Sequence, residues 1–204
     1  PVGWRLSSLG GGAPERRRSA AGAPEPPGAN LSVSCVRGTC YTAPMDEKHI
    51  GDATVHPIGI GTWAMGGSRL SDGEVFADYE HDGEEAQAIR YSLERGQNHI
   101  DTAQLYGAGH TEEIVGDAIS GFPREKIFLA TKIWKSHAAS VTAVRKAVED
   151  SLRKMRTDYV DLIYTHAFWD AIPLEVYIEG LNRVVEAGLA RSMGLSNFTL
   201  PQLQ

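Results

Sequence analysis

Four side chains that can hold or transfer a proton occur where short apolar segments of the chain end. Asp101, Lys132 and His166 each stand near the carboxyl end of a different segment, and Tyr106 follows Asp101 in the next loop. A tyrosine hydroxyl is a weak acid, but a lysine ammonium about 4 Å away would favour the phenolate and improve the proton donor. An aspartate would keep that lysine charged and oriented, and a neutral histidine would orient a carbonyl and stabilise its developing oxyanion. Together these residue types indicate reduction of a carbonyl group, provided that another group supplies a hydride.

The segments that must position these residues alternate with stretches of helical periodicity. The apolar segments are Pro57–Thr62, His99–Ala103, Ile127–Lys132, Val160–His166 and Arg191–Asn197. The clearest helical stripe consists of Val141, Val144, Val148, Leu152 and Met155. Repeated strand–helix units predict an α/β fold with a parallel sheet, which leaves a doubly wound sheet and a (β/α)8 TIM barrel both open. In a barrel the carboxyl ends of the strands form one face, where active sites are built.

Helix boundaries are indicated by capping residues. Asp82 followed by Glu85 predicts a capping box at the start of one helix, and Gly96 predicts its end. Another helix is expected between Pro173 and Gly188.

Each candidate residue alone has a more ordinary explanation, such as a strand-end lysine meeting water or an Asp-Thr turn. Their coincidence on one rim favours a shared function. A dinucleotide site of the Rossmann type fits poorly, because Gly59-x-Gly61 lacks the third glycine and a helix start. A metal-dependent hydrolase using His166 and Asp101 is the weaker alternative, since no second strand-end histidine or carboxylate cluster supports it, and no metal site is predicted.

Composition excludes several classes of protein. The 204 residues are 42% hydrophobic with a net charge of −6, and without a basic stripe we expect no nucleic-acid partner. No apolar run approaches the ~18 residues of a membrane helix, so we expect no membrane span. Cys35 and Cys40 have no matching second pair of cysteines, which argues against a zinc site. No cysteine occurs from residue 45 onward, which suits a reducing cytoplasm.

Residues 1–44 differ from the rest of the chain. They contain seven glycines and six prolines and no periodic apolar face, which predicts a disordered extension or sequence translated upstream of Met45. An organelle transit peptide is the weaker alternative, because the segment is rich in arginine and poor in acidic residues. Residues 45–204 are expected to form the partial barrel.

The chain resembles the aldo-keto reductase superfamily from about Ile58 onward. The motifs that carry the resemblance are Gly59-Ile60-Gly61-Thr62-Trp63, His99-Ile100-Asp101-Thr102-Ala103 with Tyr106-Gly107, Ala130-Thr131-Lys132 with Trp134, Asp158-Tyr159-Val160-Asp161-Leu162 through His166, and Gly194-Leu195-Ser196-Asn197-Phe198. The opening Thr-Trp-Ala-Met-Gly-Gly is similar to that of the general-stress or aryl-alcohol branch.

The resemblance implies an NAD(P)H-dependent oxidoreductase that reduces aldehydes or ketones, with NADP as the expected cofactor and NAD possible. It implies that Tyr106 donates the proton, that Lys132 and Asp101 adjust the acidity of the Tyr106 hydroxyl, and that His166 orients a small-molecule carbonyl substrate. It further implies a cofactor site made of Thr62, Asp101, Ser196 and Asn197, and substrate-pocket walls made of Trp63, Trp134, Phe168 and Trp169. A non-catalytic, cofactor-sensing binding subunit on the same fold stays open as an alternative.

The chain stops at Gln204, just inside the helix expected after strand five. The resemblance therefore predicts a TIM barrel truncated after about strand five. The fragment alone is expected to be inactive, to bind NADPH weakly or not at all, and to aggregate or associate through its open strand edges.

Overall fold

The computed structural model describes residues 31–36, 39–44, 46–67, 70–71, 74–168 and 170–203. The chain divides into two units, Pro1–Pro44 and Met45–Gln204. In the first unit, β1 (Leu31–Val36) and β2 (Thr39–Pro44) form an antiparallel pair. The remainder of that unit lies outside the described residues, so the disorder expected for segment 1–44 as a whole stays a prediction.

The second unit contains a parallel sheet whose strands alternate with helices. Its elements in chain order are β3 (Lys48–Ile50), β4 (Ala53–Val55), β5 (Ile60–Gly61), β6 (Leu70–Ser71), β7 (Glu74–Val75), α1 (Asp82–Leu93), β8 (His99–Asp101), α2 (His110–Ile119), β9 (Phe128–Ile133), α3 (Val141–Met155), β10 (Val160–Thr165), α4 (Leu174–Glu186) and β11 (Ala190–Leu195). The five parallel strands follow one another as β5-β8-β9-β10-β11, each beside its successor in sequence. A doubly wound sheet reverses direction at a switch point, whereas a barrel adds strands in one direction. The strand order therefore confirms the α/β class and decides between the two architectures in favour of the barrel.

Two apolar layers lie on opposite faces of the sheet. Because side chains alternate along a strand, Ile100, Leu129 and Ile163 face the helices, and we call the cluster they form with the helices the outer layer. The inner layer, on the other face, consists of Val55, Phe128, Ala130 and Leu162. Val55 belongs to the β3–β4 hairpin, so that hairpin covers the inner face at its amino-terminal end.

The expected helical stripe on α3 is buried in the outer layer from Val144 to Met155. Helices α3 and α4 pack unusually closely at Gly180, where an added Cβ would lie 2.7 Å from the Cβ of Val144. Such a separation is well inside van der Waals contact, so the helix pairing depends on the missing side chain at that position.

The capping box expected at the start of α1 is wrong. His81 is the N-cap residue and makes no side-chain capping bond. The carboxylate of Asp82 instead contacts His110 Nε2 at 2.8 Å, and Glu85 accepts a hydrogen bond of 2.8 Å from the backbone of Gly66. The predicted ends are confirmed: Gly96 and Gly188 take left-handed conformations, with φ of 85° and 73°, just after α1 and α4.

An ionic cluster around the buried carboxylate of Asp161 joins the amino-terminal ends of β9, β10 and β11. Asp161 on β10 is 3% exposed and accepts hydrogen bonds from Arg124 at 2.8 Å, Arg191 at 3.0 Å and the backbone N–H of Leu129 at 3.0 Å. Both guanidinium groups also lie over the ring of Tyr159, 4.1 and 4.3 Å from its centroid. The Asp158–Leu162 motif thus contributes structure at the end of the sheet opposite to the strand-end candidates.

Among the described residues, no helix is long and apolar enough to cross a membrane.

Candidate active site

The ammonium group of Lys132 lies at the centre of the strand-end cluster. It donates hydrogen bonds to Asp101 Oδ2 at 2.6 Å, to the hydroxyl of Tyr106 at 3.1 Å and to the carbonyl oxygen of Thr102 at 3.0 Å. These three bonds use all three ammonium hydrogens, and Lys132 is only 8% exposed. The charge is therefore held in one place, between a carboxylate and a phenol.

Strand register explains why these groups meet. β8 and β9 are parallel neighbours in which Asp101 pairs with Ala130, so Lys132 lies two residues beyond Asp101 on the same inward face. Beyond the end of β8, the hydrogen bond from Gln104 N to the carbonyl of Lys132 keeps the chain alongside β9. Tyr106 follows within reach of the ammonium.

The turn after Tyr106 requires glycine. Gly107, Ala108 and Gly109 all have left-handed backbones, with φ of 52°, 52° and 94°. A Cβ at Gly107 would collide with the carbonyl oxygen of Gly66, so no other residue fits there without moving that loop. This turn leads from Tyr106 directly into α2.

His166 is held as a neutral ring beside the cluster. Its ring packs edge-on against Tyr106 and Trp134, with centroid distances of 5.6 and 5.2 Å. Burial and then the charge of Lys132 lower the pKa of His166 to about 4, against an opposing effect of Asp101. Its Nδ1 atom is buried without a hydrogen-bond partner among the described residues. At neutral pH one ring nitrogen carries a hydrogen, so the ring can donate a hydrogen bond to a neutral acceptor.

Two tyrosines face this pocket, and they differ in environment. Tyr164 lies on the inner face of β10, where burial and then Asp101 raise the pKa of its hydroxyl. Its ring fills the space beside Gly194, since a Cβ there would lie 2.6 Å from Tyr164 Cε1. Among the described residues, the Lys132 ammonium donates a hydrogen bond to the hydroxyl of Tyr106 and none to that of Tyr164. The hydroxyl of Tyr106 is thus the one of the two that contacts the ammonium directly.

Thr62 acts on the cluster through the main chain. It is fully buried, and both its N–H and its hydroxyl donate to the carbonyl oxygen of Asp101, at 3.1 and 3.0 Å. Thr62 therefore fixes the backbone that carries the Asp101 carboxylate.

Ser196 and Asn197 continue the sheet past the end of β11. Ser196 N donates to Thr165 O at 3.1 Å, and the amide nitrogen of Asn197 donates to His166 O at 2.7 Å and to Ser196 Oγ at 3.1 Å. Asn197 has φ of 59°, a conformation that asparagine tolerates better than most residues. The side-chain amide oxygen of Asn197 and the hydroxyl hydrogen of Ser196 take part in no hydrogen bond among the described residues. They offer one acceptor and one donor next to His166.

Aromatic rings surround the cluster. Trp63 is 43% exposed and lies edge-on to Tyr106 at 4.9 Å, while Trp134 contacts His166. Phe168 pairs edge-on with Phe198 at 5.4 Å, a contact that the sequence pattern does not reveal. Trp169 lies outside the described residues. The roles of these rings as substrate-pocket walls stay predictions.

Gln104 is a buried polar residue next to the cluster that sequence reasoning missed. It is 9% exposed and bonds to two other segments of the chain, the loop after β9 and helix α3. A single glutamine between Ala103 and Leu105 carries no pattern that would have revealed this. Among the described residues, no group of three or more His, Cys, Asp or Glu side chains is placed to hold a metal ion.

Comparison with known proteins gives one consistent result. Residues 57–204 match the model of the Aldo/keto reductase family. Among curated relatives, aldo-keto reductase YhdN of Bacillus subtilis is 36% identical over 169 residues, which cover 78% of this chain and 49% of the relative. Methylglyoxal reductase DkgB of Salmonella typhi is 35% identical over 157 residues, 74% of this chain and 51% of the relative. The chain thus spans about half the length of the curated relatives it matches.

Solved structures agree. The thermostable aldo-keto reductase Tm1743, solved with the inhibitor epalrestat, superposes with a TM-score of 0.71 at 36% identity, covering 78% of this chain and 56% of that one. An aldo-keto reductase from Klebsiella pneumoniae in complex with NADPH gives a TM-score of 0.68 at 34% identity, covering 78% of this chain and 53% of that one.

Proposed function

Because the chain belongs to the aldo/keto reductase family, we propose that the complete protein reduces aldehydes or ketones to alcohols with a hydride from NADPH. Tyr106 supplies the proton. The observation that carries the proposal is the Lys132 ammonium, which bridges Asp101 and the Tyr106 hydroxyl at the carboxyl ends of β8 and β9.

The groups beside His166 fit a nicotinamide. A carboxamide presents one carbonyl oxygen and one NH2 group, which match the donor on Ser196 and the acceptor on Asn197. Thr62 would support the nicotinamide site by fixing the backbone of Asp101, because its hydroxyl hydrogen is already donated to the Asp101 carbonyl oxygen. The Klebsiella pneumoniae relative binds NADPH, which supports NADP as the cofactor here. When bound, NADPH supplies the hydride that adds to the carbonyl carbon.

The described side chains then complete the reduction. The Tyr106 hydroxyl gives its proton to the carbonyl oxygen as negative charge develops there. The Lys132 ammonium, 3.1 Å from the Tyr106 oxygen, stabilises the negative charge left there, and Asp101 keeps the ammonium oriented. His166, which is neutral at physiological pH, donates a hydrogen bond to the same oxygen and fixes its direction. The rings of Trp63 and Trp134 border the position that the carbonyl would occupy.

Small reactive aldehydes are the substrates to test first, because several relatives from Salmonella and Escherichia coli are methylglyoxal reductases. The test is the consumption of NADPH by the complete protein with methylglyoxal and with a series of larger aldehydes. Tyr106→Phe keeps the ring but removes the proton donor, so we expect kcat to fall roughly 10²–10⁴-fold while NADPH still binds.

Tyr91→Phe is the matched control, since Tyr91 is 56% exposed on α1 and its ring lies against Arg95 on the surface, and it should leave kcat unchanged. Near-normal turnover by Tyr106→Phe would refute the assigned role. A wild-type protein that binds NADPH but turns over no carbonyl would favour the cofactor-sensing alternative.

A further inference from the structure

We propose that Gln104 is a positioning residue of this site, which holds the loop of Tyr106 and the loop of Trp134 in the relative placement that proton transfer needs. The proposal rests on the proposed function and extends it to a residue that touches neither substrate nor cofactor.

The side-chain amide of Gln104 is fully satisfied. Its nitrogen donates to Ala147 O at 2.8 Å and to Ser151 Oγ at 3.1 Å, and its oxygen accepts from Trp134 N at 3.1 Å and lies 3.1 Å from His137 Nδ1. The partners fix the orientation of the amide, because the backbone N–H of Trp134 can only donate and the carbonyl of Ala147 can only accept. An amide has two donors and two acceptor positions; three of them have defined partners here, and the tautomer of His137 with a hydrogen on Nδ1 fills the fourth.

These bonds join three separate segments. Gln104 lies between Asp101 and Tyr106, Trp134 and His137 follow the end of β9, and Ala147 and Ser151 belong to α3. The backbone N–H of Gln104 also bonds to Lys132 O at 3.1 Å. One buried side chain therefore ties both active-site loops to a helix of the outer layer.

The geometry of the site depends on these two loops. The distance of 3.1 Å from the Lys132 ammonium to the Tyr106 hydroxyl spans the Tyr106 loop and the strand that leads to Trp134. Trp134 in turn packs against the ring of His166, which lies against Tyr106. Without the Gln104 amide, the Trp134 N–H loses its acceptor, and the loop that orders the Trp134 and His166 rings loses an anchor.

The polar groups around Gln104 continue between the sheet and the helices. Thr131, next to Lys132 in sequence, donates at 2.7 Å to Glu112, which is fully buried on α2. Burial raises the pKa of Glu112, and hydrogen bonds from Thr131 and Ser151 oppose that effect. Gln104 thus belongs to a buried polar layer directly behind the cluster, where loss of one partner leaves others unsatisfied.

The experiment compares Gln104→Met, Gln104→Glu and Gln87→Met in the complete protein. Methionine keeps the length of the side chain and removes every hydrogen bond, whereas glutamate keeps an oxygen to accept from Trp134 N. Gln87→Met is the same substitution at an exposed position of α1. We expect Gln104→Met to lower kcat at least tenfold with KM for NADPH changed less than twofold, Gln104→Glu to retain more activity than Gln104→Met, and Gln87→Met to match the wild type.

Hydrogen exchange of the Trp134 amide gives a readout independent of activity. It should be at least tenfold faster in Gln104→Met than in the wild type, and slower again in Gln104→Glu. A folded Gln104→Met protein with kcat within twofold of wild type would overturn the proposal, as would unchanged protection of Trp134. If Gln104→Met does not fold, a Gln104→Glu protein that exchanges Trp134 as fast as an unprotected amide yet keeps full kcat would also overturn it.

The failures of the two proposals are distinguishable. A wild type without carbonyl turnover contradicts the proposed function, whereas an active wild type, an inactive Tyr106→Phe and a fully active Gln104→Met contradict the role of Gln104 alone.

Discussion

Replacing Asp161 tests whether the Asp158–Leu162 motif stabilises the fold without taking part in the chemistry. Its carboxylate is 3% exposed and holds Arg124, Arg191 and the N–H of Leu129. It stands at the second residue of β10, and His166 follows the other end of that strand. Asp161→Ala removes all three bonds, while Asp161→Asn keeps the shape and one acceptor oxygen.

The expected cost follows from the exposure of each partner. The Arg124 side chain is 19% exposed, so breaking its pair with Asp161 leaves a largely buried charge, and the N–H of Leu129 loses its acceptor as well. Breaking a buried ion pair costs about 3–5 kcal/mol, and leaving a buried N–H without an acceptor costs about 1–3 kcal/mol. The two costs are not additive here, because Arg124 and the N–H of Leu129 bond to the same oxygen of Asp161. Arg191 is 55% exposed and contributes under about 1 kcal/mol. We expect Asp161→Ala to lower the free energy of unfolding by about 3–5 kcal/mol and Asp161→Asn by about 1–2 kcal/mol.

The assay is urea unfolding of the complete protein, followed by fluorescence and circular dichroism together, with kcat measured at a temperature where each variant is folded. Asp117→Ala serves as the control, because Asp117 is 52% exposed and pairs with an exposed Arg156, and it should cost less than about 0.5 kcal/mol. We expect kcat of the folded Asp161 variants to stay within about twofold of wild type. A loss of stability below about 1 kcal/mol for Asp161→Ala, or a large fall in kcat of the folded protein, would refute this reasoning.

Two further outcomes are expected. Gly180→Ala should lower the free energy of unfolding by about 1–3 kcal/mol, although alanine has the better helix propensity, because its Cβ would lie 2.7 Å from the Cβ of Val144. In urea unfolding, the additional substitution Val144→Ala should recover part of this loss, and a single variant more stable than the wild type would contradict the tight α3–α4 contact. His166 has its pKa lowered to about 4, so the stability it contributes is complete above about pH 6.5 and is lost as the pH falls toward 4, where the folded ring must accept a proton that the unfolded ring already holds. Between about pH 7 and pH 4.5 the wild type should therefore lose roughly 1–3 kcal/mol more than His166→Asn, and equal losses would show that the folded ring titrates normally.

The sequence is informative wherever a residue's role depends on its position along one element. Asp101, Lys132 and His166 close successive apolar segments, and parallel strands necessarily bring their carboxyl ends together, so the meeting of these side chains follows from strand order. The stripe on α3 is likewise a local pattern, and the left-handed Gly96 and Gly188 follow from the preference of helix ends for glycine.

Roles that depend on distant partners were not predictable in this way. Asp82 and Glu85 have the spacing of a capping box, but their carboxylates bond to His110 and to the backbone of Gly66, which only the packing of the loops brings near. Gln104 reaches partners 30 to 47 residues further along the chain, and no local pattern specifies those contacts. Asp161 carries no signal in the sequence beyond its place in the Asp158–Leu162 motif, because its ionic partners approach it only in the folded chain.

The two apolar layers also bear on how new substrate preferences can evolve. Among the described residues, 23 buried apolar side chains belong to the outer layer and four to the inner layer, and none of the aromatic rings around the cluster belongs to either buried set. Most mutations destabilise, and a protein tolerates only those that leave it above its stability threshold. Most of the hydrophobic stabilisation lies on the helix-covered face of the sheet, opposite to the inward-facing Asp101 and Lys132. Exchanges at positions such as Trp63 or Phe168 therefore remove little of that stabilisation. Such a division lets selection explore the walls of a pocket in many single steps, each of which leaves the folded scaffold intact.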